Sequence, residues 1–302
     1  MEPLCQRGRA SCGACCGLYN LRDLSRRAVR QLLGRRTAAL RGAERTAAAY
    51  REAAAWLVEE APEPLFPSVR VCAFLGYIDE GEARVGCLAH PLATGGLDLR
   101  DCGAYDARTC GAFFCPSHAW LSDHEAEIAA AACAGDPYLY GLVVTDVPFL
   151  RAALDGIAAL TGARVERRHL SEPRFSHALG RLLALKDELA PGSEGLFGAF
   201  EGGPGGIGGA APDVDGGEAG GTLAGASESA GGAAAGLFGA FERGEDGEPL
   251  ARQIDYAALD RMVSPYDVIL TCVGADPRSG NDLDRLEAEV RSRLSACADA
   301  FP

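Results

Sequence analysis

The chain has almost no lysine: one, Lys186, stands against twenty-eight arginines. A bias that uniform is compositional and carries no binding signal of its own. No run of eighteen apolar residues occurs, which excludes a transmembrane helix and a membrane partner. Met1–Arg7 has no apolar h-region, so a secretory signal is not expected and a reducing, cytosolic setting is. Histidine is scarce and its five copies are scattered. No Ser/His/Asp triad, P-loop or paired-carboxylate motif is present, so no catalytic residue is assigned. Gly203–Gly208 formally matches G-x-G-x-x-G. It follows no strand and opens no helix, so it is not a nucleotide or methyl-donor fingerprint.

What is present divides along the chain. At 302 residues there is enough sequence to bury a sizeable core. The net charge of −13 is unevenly placed: residues 1–50 carry ten arginines against three acids, and residues 191–250 carry ten acids against one arginine. In residues 21–61 the apolar positions Val29, Leu32, Leu33 and Leu40, then Ala47, Tyr50, Ala54, Leu57, Val58 and Ala61, recur at helical spacing. Most arginines fall off these stripes, as on a solvated helix face, and nucleic acid is not an expected partner.

Val69–Leu88 reads as a β-hairpin turning at Asp79–Glu82, which pairs Phe74 with Cys87 and makes Cys72 and Cys87 diagonal neighbours. Residues 90–118 read as loop. Ser122 and Glu125 form a capping box for a helix to about Ala134. Further helices are expected from Thr145 or Asp146 to Leu160 and, after a Ser171 cap, through Phe175, Leu179, Leu182, Lys186 and Leu189. Leu139–Val144 is ambiguous.

Residues 191–250 are rich in glycine, alanine and acids and read as a disordered linker. Within it Leu196–Glu201 recurs as Leu237–Glu242, a local duplication. Beyond it a short helix (Asp255–Met262), an apolar strand (Asp267–Val273) and a last helix capped by Asn281 or Asp282 are expected to pack back on the first body. The expected organisation is a cysteine-bearing domain over 1–190, the linker over 191–250 and a small segment over 251–302. The fold class is mainly α with one small β-hairpin (α+β).

The chemistry lies in Cys12-Gly13-Ala14-Cys15-Cys16-Gly17, three thiols within five residues. Adjacent cysteines rarely bond each other, because the small ring strains the peptide. Thiols converging on a metal need only face one centre. Cys133, Cys272 and Cys297 lie in apolar helical or strand settings and read as core, which leaves nine cysteines between residues 5 and 115. Thiolates select zinc, iron–sulfur clusters or copper(I). The spacing fits neither a zinc ribbon nor a ferredoxin.

These residues resemble the YkgJ family of cysteine-cluster proteins, described as zinc- or iron-chelating. Cys12, Cys15 and Cys16 match three cysteines of its C-x2-C-x2-C-C opening, and Cys72-Ala73-Phe74-Leu75 matches its C-x-F-L element. Cys87–Pro91 is similar to its third segment, with His-Pro in place of Arg-Pro, and Cys110–Cys115 to its closing one. Position 9 is arginine where the family has its first cysteine. The resemblance spans about residues 5–118 and implies a metal site at Cys12, Cys15, Cys16, Cys72, Cys87, Cys110 and Cys115, with Cys5, Cys102, His90 and His118 left open.

The expected function is a cytosolic protein holding iron, as such or as an iron–sulfur cluster, or zinc, for redox or group-transfer chemistry. The alternative is a non-enzymatic protein in which zinc staples a loop-rich N-terminal half. A disulfide-stapled exported domain is the weakest reading.

Overall fold

The computed structural model describes residues 3–64, 70–115, 117–189 and 254–302. Helix α1 (Arg26–Gly42) starts where Ser25 Oγ accepts the Ala28 N–H at 3.2 Å, satisfying one of the free donors of a helix start. It buries Val29, Leu32, Leu33 and Leu40, and with them Arg36 and Thr37. Helix α2 (Ala47–Glu59) is capped by Thr46 and buries Tyr50, Ala54 and Leu57, while Val58 stays exposed.

Strands β1 (Leu75–Tyr77) and β2 (Val85–Cys87) form a two-stranded antiparallel sheet. The Thr37 hydroxyl ties it to α1: it donates to the Leu33 carbonyl at 2.7 Å and accepts the Tyr77 N–H at 2.8 Å. A Cβ on Gly76 would lie 2.8 Å from that hydroxyl, so strand and helix meet at a glycine. The register differs from the expected one by a residue. Leu75 pairs with Cys87 and Tyr77 with Val85. The Asp79 carboxylate accepts the N–H groups of both Ala83 and Arg84, which lengthens the turn to 79–83.

The stretch read as loop contains three short helices, α3 (Pro91–Thr94), α4 (Ala107–Ala112) and α5 (Ser117–Trp120). Helix α6 (Asp123–Ala132) begins with the expected Ser122–Glu125 box. Leu139–Val144 belongs to α7 (Pro137–Val144), started by the Asp136 side chain. Asp146 caps α8 (Val147–Thr161). Glu172, rather than Ser171, caps α9 (Pro173–Leu183), and the chain continues into α10 (Leu185–Glu188).

The C-terminal segment departs further from expectation. Asp267–Val273 is not a strand; Asp267–Cys272 forms helix α11. Its β-branched residues favour a strand, but tertiary packing overrides that preference. Ile269, Leu270 and Val273 bury against α8 at helical spacing, and Tyr256 donates to Asp267 Oδ1 at 2.8 Å. Asp255–Met262 is a turn rather than a helix. Ser279, not Asn281 or Asp282, caps α12 (Gly280–Asp299), which lays Leu283, Val290, Leu294 and Cys297 against α8 and α9. The expected linker and its repeat lie outside the described residues.

Three apolar clusters result. The largest joins α6–α9 to α11 and α12, the second lies between Leu18–Leu24 and α1, and the third between α2 and the hairpin. Among the described residues no helix is long and apolar enough to cross a membrane.

The single lysine closes the largest cluster. Lys186 Nζ, 6% exposed, pairs with Asp146 Oδ2 at 2.6 Å and donates to the Cys272 carbonyl, linking α10, the start of α8 and the end of α11. Lys186→Ala leaves a shielded carboxylate unpaired and is expected to cost about 3 kcal/mol in urea unfolding. A loss well under about 1 kcal/mol would show that the pair is only a solvated surface contact.

Candidate metal centre

The Cys12–Gly17 loop is built around a 3-10 turn, Ala14–Cys16, between Gly13 and Gly17. Gly17 has φ +83°, and a Cβ there would fall 2.8 Å from the Arg70 carbonyl oxygen. A left-handed backbone and the direct approach of a second segment both require glycine. The approach is closed by a hydrogen bond from the Cys72 N–H to the Cys16 carbonyl at 2.9 Å. On the other flank the Cys12 N–H donates to the Cys5 carbonyl at 3.1 Å.

A turn of about three residues per revolution rotates successive side chains by roughly 120° and aligns those three apart. Adjacent Cys15 and Cys16 therefore leave the turn in different directions. Cys15 and Cys115 perturb one another's protonation, Cys15 raised and Cys115 lowered. Cys12 interacts electrostatically with Cys115 and Cys5, and Cys5 with Cys115. Cys16 instead interacts with Cys72, Cys87 and Cys110, Cys87 with Cys72 and Cys110, and Cys110 with Cys72. Cys16 also interacts with Cys12 and Cys15, and Cys12 and Cys16 pack against the same apolar cluster.

Backbone hydrogen bonds bring Cys72 to Cys16 and Cys12 to Cys5, and Cys16, Cys72 and Cys87 share one apolar cluster; among the described residues the seven cysteines singled out in the sequence do not converge as a ligand set. The hairpin slip does not separate Cys72 from Cys87, because Cys72 lies before β1 and is positioned by Cys16 rather than by the ladder. The Cys102 thiol packs against the third cluster and donates to the Ala47 carbonyl at 3.6 Å, at the start of α2. His90 is a helix cap, its Nδ1 accepting the Leu92 N–H at 3.2 Å. His118 stacks at 4.8 Å on Phe114 beside Cys115, and its buried Nε2 has no hydrogen-bond partner. Cys133 and Cys297 are buried in the largest apolar cluster and Cys272 packs against it.

Burial pushes the Cys12 and Cys87 thiols up to about 12 and Cys16 well above its ordinary value. Cys115 goes the other way, lowered by its interaction with Cys15; burial opposes this, and the Ser117 and His118 N–H groups assist. Among the described residues no three Cys, His, Asp or Glu side chains converge as a finished metal site. The thiols gather without closing on a centre.

One feature of the surroundings was missed in the sequence. Arg36 is 1% exposed, and its Nε and Nη1 find no acceptor. Burial lowers its pKa to about 10, and Cys72 and Cys16 act against that. It sits on the apolar stripe of α1, four residues after Leu32 and four before Leu40, and that position was the available signal. A second arginine, Arg100, paired with Asp98 at 2.6 Å, interacts with Cys110 and Cys87. The residues present fit a soft metal: the donors are thiols, and a buried guanidinium with unused donors suits surroundings that turn anionic on metal binding. An open cavity of about 490 Å³ lined by Leu170, Ser171, His177 and Arg181 contains none of the thiols.

Arg36→Met is expected to stabilise the metal-free protein by about 1–3 kcal/mol, since it replaces an unsatisfied buried charge with an apolar chain. Urea unfolding in chelator is the measurement, and a clear loss of stability would show that the guanidinium has adequate partners without metal. No known family model matches the chain, and no curated protein or solved structure is significantly similar to it.

Proposed function

We propose that this chain is a cytosolic metal-binding protein that holds iron, as such or in an iron–sulfur cluster, or zinc. Cys12, Cys15, Cys16, Cys72, Cys87, Cys110 and Cys115 would hold it, with Cys5 as an eighth donor. The observation that carries this reading is that all twelve cysteines are free while Cys16 and Cys72, and Cys5 and Cys12, are joined by backbone hydrogen bonds from separate stretches, with Cys87 in the same apolar cluster as Cys16 and Cys72. The resemblance of Cys12–Cys16 and Cys72–Leu75 to the YkgJ family supports the same chemistry. Bound iron would supply a redox couple or a Lewis acid for group transfer.

A purely structural role has its own support. Among the described residues between 62 and 118 the regular structure is limited to two three-residue strands and a few short turns of helix. Metal held by Cys16, Cys72, Cys87 and Cys110 would tie that stretch to the N-terminal loop. For structural zinc sites such binding is worth about 10 kcal/mol of folding free energy.

Anaerobically purified protein is expected to carry stoichiometric metal; visible absorption assigns iron, and a colourless zinc protein assigns the structural role. Cys15→Ser and Cys72→Ser are expected to lower the metal content and the hydrogen-exchange protection of residues 3–115. Cys297→Ser should leave the metal content unchanged. Trace metal only, in the unaltered protein, would sink the reading. Full protection of the N-terminal half after metal removal would sink the stapling role alone.

A further inference from the structure

The open cavity of about 490 Å³ holds none of the thiols and has no part in the metal reading. It lies between the 3-10 turn Arg167–Ser171, the end of α6 at Ala132 and one face of α9. Small-molecule sites span roughly 300–1,000 Å³, so its size admits a ligand of modest bulk. Leu170, Pro173 and Ala132 give it apolar walls, and His177 and Arg181 give it polar lining.

Arg174, His177 and Arg181 follow one another three and four residues apart, which places them on one exposed stripe of α9. Arg181 pairs with Glu188 at 2.9 Å, but that carboxylate is shared with Arg293. Among the described residues Arg174 and His177 have no ion-pair partner. Guanidinium groups match the planar oxygens of carboxylate and phosphate, and the imidazole offers a ring N–H in either tautomer.

Gly180, which also lines the cavity, is an independent observation. It stands inside α9, where glycine destabilises a helix relative to alanine. A Cβ there would meet nothing nearer than the Ala132 carbonyl oxygen at 3.9 Å, an ordinary contact, and its φ is not left-handed. Gly156 of α8 differs: a Cβ there would lie 2.8 Å from the Leu294 side chain, so packing requires that glycine. At Gly180 neither packing nor backbone conformation does, and what the missing side chain leaves is room in the cavity.

We propose that this cavity binds a small organic anion, a carboxylate or phosphate ester with an apolar body. Its charge rests on Arg174, His177 and Arg181, and its body lies over Gly180 against Leu170 and Pro173.

The test is calorimetric titration of the full chain with phenyl phosphate, beside inorganic phosphate and benzyl alcohol. Saturable one-to-one binding of phenyl phosphate is expected, with each of the other two probes weaker. Arg174→Gln and Arg181→Gln should each weaken it about tenfold, the loss of one charge-assisted hydrogen bond. Gly180→Leu, which fills the cavity, should abolish it while the melting temperature holds or rises and the metal content is unchanged. No binding by the unaltered chain would overturn the site. Equal binding of benzyl alcohol would overturn the requirement for an anion. Full binding by Gly180→Leu, or by both arginine variants, would place the ligand elsewhere and overturn the assignment. If Gly180→Leu fails to fold, the two arginine variants, both at exposed positions, decide. None of these outcomes bears on the thiols.

Discussion

The arrangement of the N-terminal half depends on one backbone contact, the Cys72 N–H donating to the Cys16 carbonyl across Gly17. A single such bond contributes only about 1 kcal/mol net. Its weight comes from what it fixes. With the Cys16 carbonyl committed to residue 72, the 3-10 turn is oriented, Cys15 is sent toward Cys115, and Cys72 is delivered to the hairpin end that carries Cys87. Burial supplies the energy that keeps it closed: Phe74 and Leu75, directly after this contact, are each 1% exposed.

Much of this was legible because cysteine order and apolar period are local signals. The stripe on α1, the Ser122–Glu125 box and the long C-terminal helix follow from residues three and four apart. The hairpin register did not follow, because it is set by where the Asp79 carboxylate finds N–H groups in the turn. Helix α11 was misread because Val268–Val273 is apolar and β-branched, and only the presence of α8 decides the period. The sequence places Cys15 beside Cys16, and only the backbone turn shows that their side chains leave in different directions.

Three charged side chains buried among the described residues make a useful comparison. Lys186 has the Asp146 carboxylate and the Cys272 carbonyl. For Glu125, burial alone would raise the pKa, but the Arg151 guanidinium and Ser122 outweigh it and hold the carboxyl at about 2. Both are satisfied, and both join helices of the large cluster. Arg36 alone has donors left over, and it is the one beside thiols. A buried charge without partners is a destabilising feature. Its placement is understandable if the partner arrives with the metal.

The protonation of the thiols leads to the same place from the other side. Burial first, and neighbouring thiols second, raise Cys12, Cys16 and Cys87, which favours their protonated form. On the proposed reading a bound metal would displace thiol protons, and the Arg36 guanidinium would then face negative charge; folding, proton release and the burial of that arginine would form a single coupled equilibrium rather than three separate properties of the chain.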